Sequence, residues 1–246
     1  MVTSDIINSE KGEVTMEEIN EKFKIIINHE LLEEFCNLND FLIITKEMLE
    51  ENNIFENLVY ATDNNFVGQS VYPKNMPLMM NKILWGKLIK INDELKKQNR
   101  ALKICDAYRP IEVQKIFWEK FYNVHGYYDE SLVANPEKYG THNIKLNAVD
   151  IILVDINGNE VELPCEFDDF TEKASINYED CSEIAKQNRD LLIKTANKYG
   201  LIVNENEWWH YYDEGLKEFG MRYDYSNSEM VPERENEVFI LTRYIN

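Results

Sequence analysis

Apolar and polar positions recur along this chain with a changing period, and the period predicts most of the elements. Between Met16 and Leu49 apolar residues come at mixed helical spacing: Ile19, Phe23 and Ile26, then Leu31, Leu32 and Phe35. That spacing predicts one or two helices. Residues 1–14 before them are polar. Over 76–99, Leu78, Met79, Ile83, Leu84, Leu88, Ile91 and Leu95 fall on one side with Lys and Glu on the other, which predicts a long helix. The run ALKICDAY at 101–108 reads as a short buried strand. Pro110 opens the next helix, where its missing N–H is tolerated, and Val113, Ile116, Phe117 and Phe121 give that helix its apolar face. The segment 123–145 has weak period and carries Gly126, Pro136 and Gly140, so it reads as loop. AVDIILV at 148–154 is a strand, Asn157-Gly158 a hairpin turn, and 160–163 the antiparallel return. After a loop at 166–176, a second long helix is predicted over 178–199, stopped by Gly200. Strands follow at 201–203 and 207–212 around a polar turn at 204–206, and the tail EVFILTRYIN ends in another. With no repeat and no Pro/Gly/Ser-rich linker, the pattern predicts one α+β domain: a central antiparallel sheet with helices packed on it.

Composition narrows the class. The chain has 246 residues, 44% hydrophobic and 12% aromatic, enough for a sizeable core. Lys plus Arg is 26 and Asp plus Glu is 45, a formal net charge of −19. Such a chain is repelled by phosphate backbones and anionic headgroups, so neither nucleic acid nor a membrane is expected as partner. The first residues, MVTSDIINSEKGEVT, show no basic region followed by an apolar run, and no stretch approaches the roughly 18 apolar residues of a membrane span. Cys36, Cys105, Cys165 and Cys181 lack any CxxC spacing and read as free thiols. The expectation is a cytoplasmic protein.

Four histidines bound the chemistry: His29, His125, His142 and His210. His29 and His125 have no chemical company. Asp150 lies eight residues after His142 inside an apolar strand, where a carboxylate is costly unless paired or bound to a cation; an outward-facing Asp on a half-exposed strand is the alternative. His210 sits in Glu207-Trp208-Trp209-His210-Tyr211-Tyr212, a polar pair in aromatic surroundings. Catalytic zinc takes three N/O protein ligands and leaves one position for water. His142, Asp150 and His210 would supply that set, and Glu207 could take a proton from the water. Arg109, after the strand 101–108, could bind a substrate carboxylate or an oxyanion, or be a surface arginine at a strand end. There is no HExxH, GxGxxG, P-loop or nucleophile elbow.

Four ordered segments resemble the D-alanyl-D-alanine dipeptidases, zinc enzymes related to D,D-carboxypeptidases and to the hedgehog-type fold. They are Tyr60-Ala61-Thr62 with Asn65-Phe66-Val67-Gly68 and Val71-Tyr72; Asp106-Ala107-Tyr108-Arg109-Pro110; Ala148-Val149-Asp150 followed by Phe167-Asp168; and Glu207-Trp208-Trp209-His210. The resemblance implies one zinc per chain with Asp150 and His210 as ligands. It implies Glu207 as general base and acid, Arg109 as transition-state stabiliser, and Asp168 as holder of the amine of a short dipeptide. The resemblance covers about residues 40–215, so the expected division is a catalytic domain over residues 39–225, a helical extension at 1–38 packed on it, and an extension at 226–246 ending in a strand. One motif departs. The family pattern SxHxxGxAxD, laid on Asp150 without a gap, puts Thr141 at the Ser position, lining the substrate pocket, and Asn143 at the His position. Either the loop bulges by one residue and His142 is the third ligand, or the site has lost a ligand and the chain is a metal-poor binding module on the same fold.

Overall fold

The computed structural model describes residues 41–72, 76–109, 111–136 and 147–216. The helices expected before residue 41, the extensions at 1–38 and 226–246 and the strand at 237–246 lie outside the described residues. So do Pro110, Thr141, His142 and Asn143. Among the described residues are four α-helices and two sheets. No helix among them is long and apolar enough to cross a membrane, and Cys105, Cys165 and Cys181 are free thiols.

The larger sheet has five strands: β2 (Phe55–Glu56), β4 (Arg100–Asp106), β5 (Ala148–Asp155), β7 (Glu207–Tyr212) and β6 (Ile202–Asn204), in that order. All neighbours are antiparallel except β2, which runs parallel to β4. The smaller sheet pairs β1 (Phe41–Ile43) with β3 (Met79–Asn81). Helices α2 (Lys82–Lys96) and α4 (Glu183–Lys198) pack on one another and on one face of the large sheet. Successive strand residues face opposite sides. Val149, Ile151 and Leu153 therefore enter the core shared with Leu84, Leu88, Ile91 and Leu192, while Ile152 packs on the other face against the buried Trp208, Trp209 and Ala174. That second face, with Asp150 on it, is where the chemistry collects.

Capping decides where the pattern departs from the elements. The helix expected over 76–99 begins only at Lys82, because Met79–Asn81 pairs with β1 and the Asn81 side chain accepts from Ile83 N at 2.8 Å. Ile83, read as part of the apolar side, is exposed. Residues 41–43 form a strand where helix was expected. Thr45 caps α1 (Lys46–Asn52), and Asn53 ends it at φ 53°. The helix expected from 178 starts at Glu183, where Ser182 accepts from Ala185 N. The return strand at 160–163 is a single bridge, Val154 to Glu160. The Asp155 side chain there accepts from the backbone of Asn157 and Asn159 and steadies the turn. Helix α3 (Ile111–His125) starts immediately after Pro110, as expected.

Asn92 is fully buried on α2 and satisfied on every side. It donates to the carbonyls of Asn52 and Asn53 at the end of α1 and accepts from Leu102 N in β4 at 2.8 Å. One amide thus locks two helices to the strand that leads to the site.

Candidate active site

Strand register brings the site together. Asp150 stands directly opposite His210 across the β5–β7 pair. On its other side the β4–β5 ladder slips between Ile104 and Asp106, so that Asp106 rather than Cys105 stands opposite Asp150. The slip turns Asp106 onto the face that a regular ladder would give to its neighbour. Three residues later the chain leaves β4 and Arg109 folds back over the same face.

Asp150 divides its carboxylate between two partners. Oδ1 lies 2.7 Å from His210 Nδ1 and Oδ2 lies 3.5 Å from Arg109 Nη2. Asp150 and His210 are buried, and Asp106 has no exposed surface. Arg109 donates from Nε and Nη2 to Asp106 Oδ2 at 2.9 and 2.8 Å, and from Nη1 to Gln114 Oε1 at 2.8 Å. Tyr72 donates to the other Asp106 oxygen at 2.7 Å. The guanidinium carbon is 4.7 Å from the centre of the Phe117 ring and 5.2 Å from that of Tyr60. Tyr60 donates to both oxygens of Asp168 at 2.9 Å, and Asp168 holds a left-handed backbone, φ 63°. Glu207 accepts from Asn204 Nδ2 at 3.0 Å. Phe167 packs on Trp209 and Tyr60, continuing an aromatic wall that includes Phe66 and Phe170.

The electrostatics follow from burial. Asp168 and Glu207 are half-buried, and the protein packed around both carboxyls disfavours their charged forms. Burial first, with Asp150 adding, pushes Glu207 up to about 7 against the pull of His210, Arg109 and Asn204. Burial pushes Asp106 up to about 6 although Arg109 opposes it, and lifts Asp168 well above the carboxylate range although Tyr60 and Arg109 oppose it. Burial pulls the His210 imidazole down, but Asp150, through its charge and its hydrogen bond, outweighs this and leaves it above its ordinary value.

Of the residues singled out in the sequence, Asp150, His210, Glu207, Arg109 and Asp168 are gathered in one place. His142 and Thr141, with Asn143, lie outside the described residues. Among the described residues no three His, Cys, Asp or Glu side chains form a metal cage. Asp150 and His210 supply two donors, an oxygen and an imidazole nitrogen of the kinds zinc accepts. Asp106 and Asp150 contact the one guanidinium and Asp168 and Glu207 lie within electrostatic range of it, and burial holds three of these four carboxyls up. A divalent cation would relieve that excess of negative charge, so donors and charge both fit a metal. Sequence reasoning assigned no role to Tyr60, Tyr72, Asp106 or Gln114. For Gln114 the only signal was a polar residue at i, i+3 and i+7 spacing with Phe117 and Phe121 on an apolar stripe.

Comparison with known proteins places the chain in a family. A family described as D-ala-D-ala dipeptidase (Peptidase_M15) matches residues 42–229, more than half of the chain. The chain is also similar to the D-alanyl-D-alanine dipeptidase of Escherichia coli (strain K12): 27% identical over 154 residues, 63% of this chain and 76% of that protein.

Proposed function

Since the chain belongs to the D-ala-D-ala dipeptidase family, Peptidase_M15, we propose that it hydrolyses a short dipeptide such as D-alanyl-D-alanine with one zinc ion held by His142, Asp150 and His210. The observation that carries the reading is the divided carboxylate of Asp150, with His210 Nδ1 at 2.7 Å on one oxygen and Arg109 Nη2 at 3.5 Å on the other. It sets a ligand pair beside a cation suited to an oxyanion. Zinc bound there would polarise the scissile carbonyl and bring the pKa of water toward about 7. Glu207, raised to about 7, is poised to take a proton from the attacking water and return it to the leaving amine, as a group whose pKa lies near the working pH does best. Arg109, charged at every pH of interest, stabilises the oxyanion as it develops. Asp168 holds the free amine of the substrate, which restricts the enzyme to short peptides, and Thr141 lines the pocket.

Elemental analysis of purified protein, with turnover of D-Ala-D-Ala, tests the reading. The expected result is about one zinc per chain, lost in His142→Ala. Glu207→Ala should lower kcat by about a hundredfold or more. Full activity in Glu207→Ala would sink that role. Absence of both zinc and turnover after supplementation would sink the enzyme and favour the metal-poor binding module, with Asn143 at the ligand position.

A further inference from the structure

Arg109 is restrained more completely than charge pairing requires. A guanidinium carries five N–H groups in a fixed plane. Asp106 takes two of them, from Nε and Nη2. A single carboxylate oxygen leaves the plane free to pivot about that contact. Gln114 closes the pivot: its amide oxygen takes Nη1 at 2.8 Å, on the side of the guanidinium away from Nε, and its own Nε2 donates to Ala134 O at 2.9 Å. Gln114 has almost no exposed surface. The Phe117 and Tyr60 rings limit tilt, which leaves the Nη edge turned toward Asp150.

We infer that Gln114 is a positioning residue for the reaction, fixing the rotation of the Arg109 guanidinium and tying it to the loop at 129–136. The inference rests on the reading of Arg109 as oxyanion stabiliser. An amide suits the task better than a carboxylate. It accepts a hydrogen bond without offsetting the positive charge that the oxyanion needs, and it keeps a donor for Ala134 O. The arrangement also joins α3, which carries Gln114, to Ala134, eight residues before His142.

The test uses the full chain with arginine labelled in its side-chain nitrogens. Acceptors at both ends of a guanidinium slow rotation about Cζ–Nη, so the Arg109 Nη protons should be resolved in the wild type. In Gln114→Met, which keeps the volume and loses the acceptor, the Nη1 protons should coalesce while those of Nη2, held by Asp106, stay resolved. Gln114→Glu, which keeps an acceptor, should retain resolved signals and provides a second variant should the first fold poorly. In turnover, Gln114→Met should lower kcat by about tenfold or more while KM stays within about twofold, because orientation is lost at the transition state and not in binding. Resolved Nη1 signals surviving in Gln114→Met, their loss in Gln114→Glu, or kcat of Gln114→Met within about twofold of wild type would each overturn the role. A wild type with resolved signals and no turnover of D-Ala-D-Ala would uphold the restraint and overturn the dipeptidase reading instead.

Discussion

Tyr60 and Asp168 show how a distant side chain sets the state of a binding group. They are 108 residues apart, yet the phenol hydroxyl meets both carboxylate oxygens at 2.9 Å. That bond is one of the few forces holding the carboxyl of Asp168 down against its burial. Tyr60→Phe removes it, so Asp168 keeps its proton to still higher pH and grips a cationic amine less well. The expected outcome is a KM for D-Ala-D-Ala raised about tenfold at neutral pH, with kcat little changed, read from steady-state kinetics; one hydrogen bond to a charged group is worth about that much. An unchanged KM would remove Asp168 from amine binding. Arg109, Asp150, Glu207 and His210 were legible because each is a chemically demanding residue in an apolar or aromatic run. Gln114 was not, because a glutamine on an apolar stripe carries no chemistry of its own and acquires a purpose only when Arg109 is placed against it.

The elements were legible where hydrophobic period alone decides them, as in β4, β5, β7 and the body of α2. They were misread where a short polar side chain intervenes. Asn81, Thr45 and Ser182 each accept a backbone N–H and fix a helix start that apolar spacing leaves open. The turn after β5 is the case with the sharpest consequence. Gly158 has φ 86°, and a Cβ placed on it would lie 2.5 Å from the ring of Phe55 in β2. The turn therefore needs glycine twice, for its backbone and for the edge strand that passes beneath. Gly158→Ala should destabilise the protein by about 1–3 kcal/mol, seen as a lower urea midpoint with an unchanged slope. An unshifted midpoint would mean that Phe55 moves aside freely and the turn relaxes.

The α+β architecture with helices packed on a mostly antiparallel sheet follows from the order of elements, and it is the architecture found. The parallel partner β2 escaped notice because two residues, Phe55 and Glu56, carry no period. The same brevity hides β1 and β3, whose three residues each gain strand structure only from pairing with one another. Acidity spreads over the whole chain and says nothing of the fold, yet it has a local counterpart in the carboxyls gathered around Arg109.

Asn92 carries a consequence for the order of assembly. Its bond to Leu102 N spans ten residues, while its bond to Asn52 O spans forty. The entropy of closing a loop grows with the logarithm of its length, so the nearer contact forms at lower cost. The unit of α2 and β4 should then belong to the folding nucleus, with α1 docking after the barrier is crossed. Stopped-flow measurements should find that Leu102→Ala mainly slows folding and that Leu49→Ala, in α1, mainly speeds unfolding. The reverse pattern would place α1 in the nucleus and make Asn92 a late clasp. Under the expected order, the strand that delivers Asp106 and Arg109 is among the first parts of the chain to find its place.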